Sequence, residues 1–278
     1  MDKNYHNRWG KGDEEGGKIV KLKHYILTIL SFFCTLTIFA ESKLAIINDP
    51  DGFTNVRSGQ GKEFSVIDTI NKDEFFYCDP KIQDEWIKIT AMKWKDSEQV
   101  EGYIHRSRIQ FVENLDYKKQ KELIVQILNK QRVLADSFRN AWKNKDSITY
   151  KTTREELELY SEIKYSPILD VLPKYFCSTN DTDILQLFFS TMWANNGSAN
   201  EMPSFAIGKC FVWKTDIVIA QVKKIQNVEQ KKFIFDKIEW GLLNYFNVDF
   251  DVDENKSNNK EFSKLKIRLE NERKNACR

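Results

Sequence analysis

Apolar residues follow two different rhythms along this chain. Over residues 43–112 they come in short runs that alternate with polar positions; beyond Asp116 they recur every three to four residues. In the first stretch, Leu44-Ala45-Ile46-Ile47 precedes the turn sequence Asn48-Asp49-Pro50-Asp51-Gly52, where proline presets one backbone angle and glycine closes the bend. A second run, residues 53–57, leads into Ser58-Gly59-Gln60-Gly61. Phe64, Val66 and Ile70 then alternate with Ser65 and Thr69, the period of a half-buried strand. Residues 74–78, 86–90 and 102–104 are further strand candidates. Short strands with closely spaced turns over roughly 70 residues predict one small β-barrel, able to fold alone.

The second rhythm predicts helices. Leu123, Ile124, Ile127, Leu128, Leu134, Phe138 and Trp142 share one face of a helix over 122–142. Thr153 with Glu156 reads as a capping box opening a helix over 154–163. Ser166-Pro167 reads as a cap and first-turn proline opening 168–176, with Pro173 ending or kinking it. Asp181 or Thr182 would cap 183–193, Thr215 would cap 216–225, and Asn227 with Gln230 would open 228–246. Residues 195–203, rich in Asn, Gly and Ser, form the clearest loop of this half. Residues 116–247 therefore read as an all-α domain, a bundle or a stack of helix pairs. An acidic, asparagine-rich linker follows at 248–259, then a charged, peripheral C-terminal helix within 260–278.

The start of the chain has neither rhythm. A polar and basic tail, residues 1–23, leads into an apolar segment, 24–40, whose run YILTILSFFCTLTIFA contains no charge. Basic flank, apolar run and a small residue before Glu41-Ser42 have the layout of a signal peptide. Retained as a membrane anchor, the run falls short of the ~20 residues that span a bilayer comfortably. On either reading the rest of the chain is exported, to the periplasm or cell envelope, and membrane contact is confined to this segment.

Charge and histidine content narrow the chemistry. The tail holds six basic and four acidic residues; removing them from the totals of 43 and 41 leaves 37 of each. A balance near zero argues against capture of nucleic acid by bulk electrostatics. Of three histidines only His105 lies beyond the export segment, which leaves no metal site and no cofactor to predict. Cys78, Cys177, Cys210 and Cys277 are too far apart in sequence for a CxxC pair. An oxidising compartment permits disulfides; Cys177–Cys210 is the favoured pairing, buried free thiols the alternative.

The stretch Asn55-Val56-Arg57-Ser58-Gly59-Gln60-Gly61, followed by Val66-Ile67, Trp86-Ile87-Lys88-Ile89 and Gly102-Tyr103-Ile104-His105, resembles the bacterial SH3 (SH3b) family in order and spacing. It departs from that pattern at Asn71-Lys72-Asp73, where the family carries a glycine, and in the long stretch 91–99 with Trp94. The resemblance implies an SH3-like barrel with a binding role, towards cell-wall glycopeptide or an envelope protein, and no catalysis. In physical terms, Gly59 and Gly61 would supply backbone angles closed to other residues. Asn55 and Arg57 would tie the turn down, and Trp86 would fill the core. Phe53, Trp94, Tyr103 and His105, in or beside turns, are the ligand candidates, because a ring with a polar handle suits sugar or peptide stacking.

No catalytic constellation stands out. Glu155, Glu158 and Glu162 share a helical face, and Glu156 adjoins them, a pattern typical of a solvated surface. Glu201, in the 195–203 loop, is the best single acid and has no visible partner carboxylate. The sequence thus favours a non-enzymatic envelope protein. The alternative is a wall-acting glycoside hydrolase with the barrel as targeting module and the helical part as the catalytic one.

Overall fold

The computed structural model describes residues 42–72, 74–78, 84–93, 99–248 and 259–276. The N-terminal tail and apolar run, Trp94, Cys277 and the interior of the 248–259 linker lie outside the described residues.

The first part is a curled antiparallel sheet, a half-barrel. Its strands are β1 (Lys43–Ile47), β2 (Phe53–Arg57), β3 (Val66–Asn71), β4 (Phe76–Cys78), β5 (Trp86–Met92), β6 (Gln99–His105) and β7 (Ile109–Phe111). They lie in the order β3-β2-β6-β5-β4-β1-β7, with β3 and β7 at the edges. The hairpin from β5 to β6 is the longest ladder, pairing Trp86 with His105 through to Met92 with Gln99. Along β5, Ile87, Ile89 and Ala91 point inward while Trp86, Lys88, Thr90 and Met92 alternate outward. The inward set joins Ala45, Ile47, Val56, Ile70, Phe76, Cys78 and Ile104 in one small core.

β1 departs from simple alternation because it is covered on both faces. Ala45 and Ile47 enter the small core, whereas Leu44 enters the large core of the helical region and Ile46 packs against it. A strand buried on both sides reads as a continuous apolar run, which is the sequence of β1. Phe75 and Val112 also belong to the helical core. The sheet therefore shares a core with the helices and falls with them in one compact unit, Lys43–Arg278. Polar ties reinforce the seam. The Tyr77 hydroxyl donates to Asp170 at 2.9 Å, Lys174 pairs with Glu113 at 3.3 Å, and Lys164 lies 4.5 Å above the Phe75 ring. Burial, then the Asp170 carboxylate, push the Tyr77 hydroxyl far above its ordinary range, so it stays a donor.

The remainder is all-α. α1 (Tyr117–Lys143) opens on Asp116, whose carboxylate accepts the Lys119 N–H at 2.9 Å. α2 (Ser147–Tyr160) opens on Asp146, seven residues before the predicted Thr153. Thr153 sits inside the helix, and its hydroxyl donates back to the Thr149 carbonyl at 2.7 Å. A π-helical turn, Ser161–Tyr165, carries α2 directly into α3 (Ser166–Thr179). Ser166 therefore starts no new helix: its N–H reaches back five residues to Ser161 O. Pro167 follows immediately, and its ring would clash with the fourth carbonyl back in a regular α-turn. Pro173 lies buried within α3 and does not end it; the helix stops at Asn180, in the left-handed conformation with φ 54°.

α4 (Thr182–Ala194) is capped by Asp181 as predicted, through the Ile184 N–H at 3.3 Å. The loop that follows leads to α5 (Met202–Trp213) and α6 (Thr215–Lys223). Thr215 caps nothing; its hydroxyl donates to the Phe211 carbonyl at 2.8 Å. α7 (Val228–Tyr245) begins at Asn227, which accepts the Gln230 N–H at 2.9 Å. α5 and α7 cross through Gly208 and Gly241, where a β-carbon on Gly241 would fall within 2.8 Å of the Gly208 Cα and closer still to the Ser204 carbonyl. α8 (Lys260–Ala276) is not a loose appendage, because Phe262 and Leu269 are each 1% exposed in the helical core. No helix of the described residues is long and apolar enough to cross a membrane.

Candidate functional site

The outer face of the curled sheet gathers most of the sequence-predicted residues. Alternation sends Arg57 on β2, Tyr103 and His105 on β6, and Trp86 and Lys88 on β5 away from the small core. Register then sets them side by side: Arg57 pairs with Tyr103, Tyr103 with Lys88, and His105 with Trp86. Trp86 is half-buried on this face and does not belong to the core, contrary to the expectation from its size. Its strand phase decides the matter, since Ile87 beside it must point inward.

The ring of Trp86 is held from two sides. The Arg57 guanidinium lies 5.9 Å from its centroid, and His105 meets it edge-on at 5.3 Å with an interplanar angle of 80°. Arg57 is itself anchored: its Nη1 donates to the Lys62 carbonyl at 2.9 Å and the Phe64 carbonyl at 2.7 Å, spanning the β2–β3 turn. Arg57 thus makes the predicted tie, while Asn55 is exposed opposite Thr69. His105 Nδ1 accepts the Ser107 N–H at 3.3 Å and lies 2.7 Å from the Ser107 hydroxyl. With Nδ1 accepting from a backbone N–H, the neutral ring carries its proton on Nε2. Lys88 and Glu101 flank the stack as an exposed ion pair at 2.8 Å. Their mutual hydrogen bond raises the lysine and lowers the carboxylate from their ordinary values, so both stay charged.

Two of the motif glycines, Gly59 and Gly102, act by leaving space. Gly59 and Gly61 are buried and neither has a positive φ; the left-handed glycine of this region is Gly52, with φ 80°. A β-carbon on Gly59 would enter the Phe64 ring, and one on Gly61 would meet the Glu63 carboxylate. Gly102 leaves room for β2 to cross, since a β-carbon there would lie 2.5 Å from Val56 Cγ1 and 2.7 Å from the Arg57 carbonyl.

The remaining candidates are dispersed. Phe53 shares the outer face but stands four residues along β2 from Arg57, on the order of 13 Å away, and is 47% exposed. Glu201 is exposed at the start of α5, and its side chain caps nothing. Cys177 and Cys210 are free thiols on α3 and α5; burial, then the neighbouring Cys177, push the Cys210 thiol well above its ordinary range. Among the described residues no cluster of His, Cys, Asp and Glu could hold a metal ion. Lys88 and Glu101 were missed as part of the face, although the alternation Trp86-Ile87-Lys88-Ile89 contains the signal. No protein-family model, curated protein or solved structure matches the chain.

Proposed function

We propose that this chain is an exported, non-enzymatic envelope protein, delivered by residues 24–40, whose curled sheet is an SH3b-like module binding cell-wall glycopeptide through the face around Trp86. The observation that carries this reading is the half-exposed Trp86 ring, held between the Arg57 guanidinium and the His105 edge and not needed by the core. A fixed aromatic face with cationic and hydroxyl groups beside it suits the mixed apolar and polar surface of a glycopeptide. The anchoring of Arg57 by two carbonyls means the stack is set before any ligand arrives, which lowers the ordering cost of binding. The hydrolase reading has less support: Glu201 is exposed, and the first turn of α5 beside it holds no acidic residue.

Co-sedimentation of the full chain with purified, protein-free sacculi tests the proposal. The chain is expected in the pellet, and Trp86→Ala is expected to weaken retention roughly 10-fold, the loss of about 1.4 kcal/mol of stacking. Equal retention of the variant, or none of the parent chain, refutes the sheet-face reading; retention only on sacculi that keep their proteins points to a protein partner. Clearing of the suspension that is abolished by Glu201→Gln would restore the hydrolase.

A further inference from the structure

A second concave surface lies in the helical part, remote in sequence from the motif that marks the sheet. It is a groove of ≈ 900 Å³ between α1, α2 and the loop after α4. Its apolar wall is a run of three rings: Phe138 and Tyr150 have centroids 4.9 Å apart, and Trp142 and Tyr150 5.4 Å apart. Trp142 is 66% exposed, so a face of this run is open to solvent. Such a large apolar group on the surface of a folded chain calls for a reason.

Behind the groove is a smaller cavity of ≈ 20 Å³, room for one water-sized group. Ser161, Asn195, Ser198 and Asn200 line both spaces. Gln131 and Tyr165, each 1% exposed, line the inner one, together with Met192, Pro203, Phe233 and Lys237. The polarity of this cavity is fixed by a chain of hydrogen bonds. Asn195 Nδ2 donates to the Thr191 carbonyl at 2.8 Å, which makes its Oδ1 an acceptor. Gln131 Nε2 donates to that oxygen at 3.0 Å and to Ser161 Oγ at 2.6 Å. The Gln131 amide is thereby oriented, and its Oε1 is left without a partner among the described residues. The Tyr165 hydroxyl also lacks a partner there, and burial pushes it far above its ordinary range, so it remains protonated. Ser161 and Tyr165 are the two ends of the π-helical turn, an irregularity that costs helix stability and recurs at functional sites. A fold that leaves buried polar atoms unpaired on two residues lining one cavity gives up stability unless something else pairs them.

We propose that this groove binds an oligosaccharide, with one pyranose ring stacked on Trp142 and Tyr150 and a hydroxyl of another ring seated in the inner cavity lined by Gln131 and Tyr165. The chemistry selects a hydroxyl. It can donate to Gln131 Oε1 and accept from the Tyr165 hydroxyl at once. A carboxylate would set its lone pairs against Gln131 Oε1 even with Lys237 in the lining, an ammonium could not accept from Tyr165, and a methyl group would leave both atoms unpaired. One buried water would satisfy the same two atoms, yet it leaves the exposed ring wall outside without a purpose. A peptide is the poorer fit, because the groove offers neither a strand edge nor a continuous apolar channel. Arg139 and Arg154 stand beside the rings; the first is held by the Trp193 carbonyl at 3.1 Å and the second by Glu158 at 2.7 Å, so both present fixed N–H groups to further hydroxyls. This site is independent of the sheet face and stands if that reading fails.

Isothermal titration calorimetry of the full chain with chitotetraose and with maltotetraose tests it, the two probes separating acetamido sugars of wall type from plain glucans. Saturable binding of at least one is expected. Trp142→Ala should weaken it roughly 10-fold. Tyr165→Phe should weaken it about fivefold while the melting temperature stays level or rises, because the deleted hydroxyl has no partner in the protein. Silence with both sugars overturns the proposal. So does binding that neither substitution disturbs, or a Tyr165→Phe variant that changes melting temperature and leaves affinity untouched.

Discussion

Leu44→Ala is the sharpest test of how the sheet and the helices are joined. Leu44 sits on β1, is 4% exposed, and packs in the core shared by Val112 and the helices rather than in the sheet's own core. The substitution deletes three carbon groups, worth about 2.5 kcal/mol of transfer free energy at ~0.8 each. The cavity left behind adds to this, because the strand on one side and helices on the other limit collapse, giving about 3–4 kcal/mol in all. For a unit of this size the melting temperature should fall by roughly 10 °C. The informative readout is circular dichroism at 222 nm, which is dominated by α1 to α8. A residue on the first strand should move the helical transition in full, in one cooperative step with near-ultraviolet signals from the sheet. Were the sheet an autonomous barrel, Leu44 would be a surface residue of it, costing under ~1 kcal/mol, and the helical midpoint would not respond. A biphasic melt with an unshifted helical phase would refute the shared core.

Two further predictions concern the helices. Gly241→Ala gains helix propensity of up to ~1 kcal/mol but drives a β-carbon into the Ser204 carbonyl across the α5–α7 crossing, so urea denaturation should show a net loss of about 2 kcal/mol; a stabilised variant would mean that the crossing can open. Asp181 controls acid sensitivity at the start of α4. Burial raises its carboxyl, but Lys121 at 2.8 Å, the Ile184 N–H and the Tyr175 hydroxyl outweigh this and hold it below the ordinary carboxylate range. A depressed folded-state value contributes stability that is complete above the unfolded-state value near ~4 and is lost as pH falls through the folded one. Asp181→Asn keeps a capping oxygen and removes the charge, so its deficit relative to the parent should be present at pH 7 and vanish in acid. A deficit independent of pH would assign the effect to packing.

The fold was legible wherever local rules act alone. The alternation of β5, the Asp49–Gly52 bend and the caps at Asp181 and Asn227 follow from residues within a few positions of one another, whereas Phe64 and Val66, read as half-buried with Ile70, are exposed beside the register shift at Val56 and Arg57. Errors arose where two local signals competed. Thr153 has the residue types of a capping box, yet Asp146 offers a better acceptor earlier, and a threonine overtaken by a helix returns its hydroxyl to the preceding turn. Ser166-Pro167 looks like a helix start because proline tolerates the first turn. The chain keeps the helix and absorbs the proline with a π-turn. Gly59 shows a further limit: a glycine in a sequence does not reveal whether it supplies an angle or vacates a volume, and here it vacates the space of the Phe64 ring.

The sites divide along the same line. The sheet face is readable in part: Tyr103 and His105 stand out in sequence as ligand candidates, whereas Arg57, expected only to tie the turn, joins them through the register of β2 with β6. Trp86, expected in the core, stands on this face because its phase on β5 is opposite to that of the buried Ile87. The helical groove had no such code. Trp142 and Phe138 fit the apolar stripe of α1, and nothing near them in sequence reveals that the stripe overruns the core and meets Tyr150 from α2 in solvent. Gln131 shows the difference most clearly. As one polar residue on the helix it signals nothing; its meaning comes from Asn195, sixty-four residues later, which accepts one amide hydrogen and so fixes which end of the buried amide is left unpartnered. Orientation passed through a chain of hydrogen bonds is a property of the assembled bundle. The loop 195–203 is conspicuous in sequence, yet only its charge, Glu201, draws the eye there: charge is visible residue by residue, whereas Asn195 and Asn200 shape the cavity through partners on other elements.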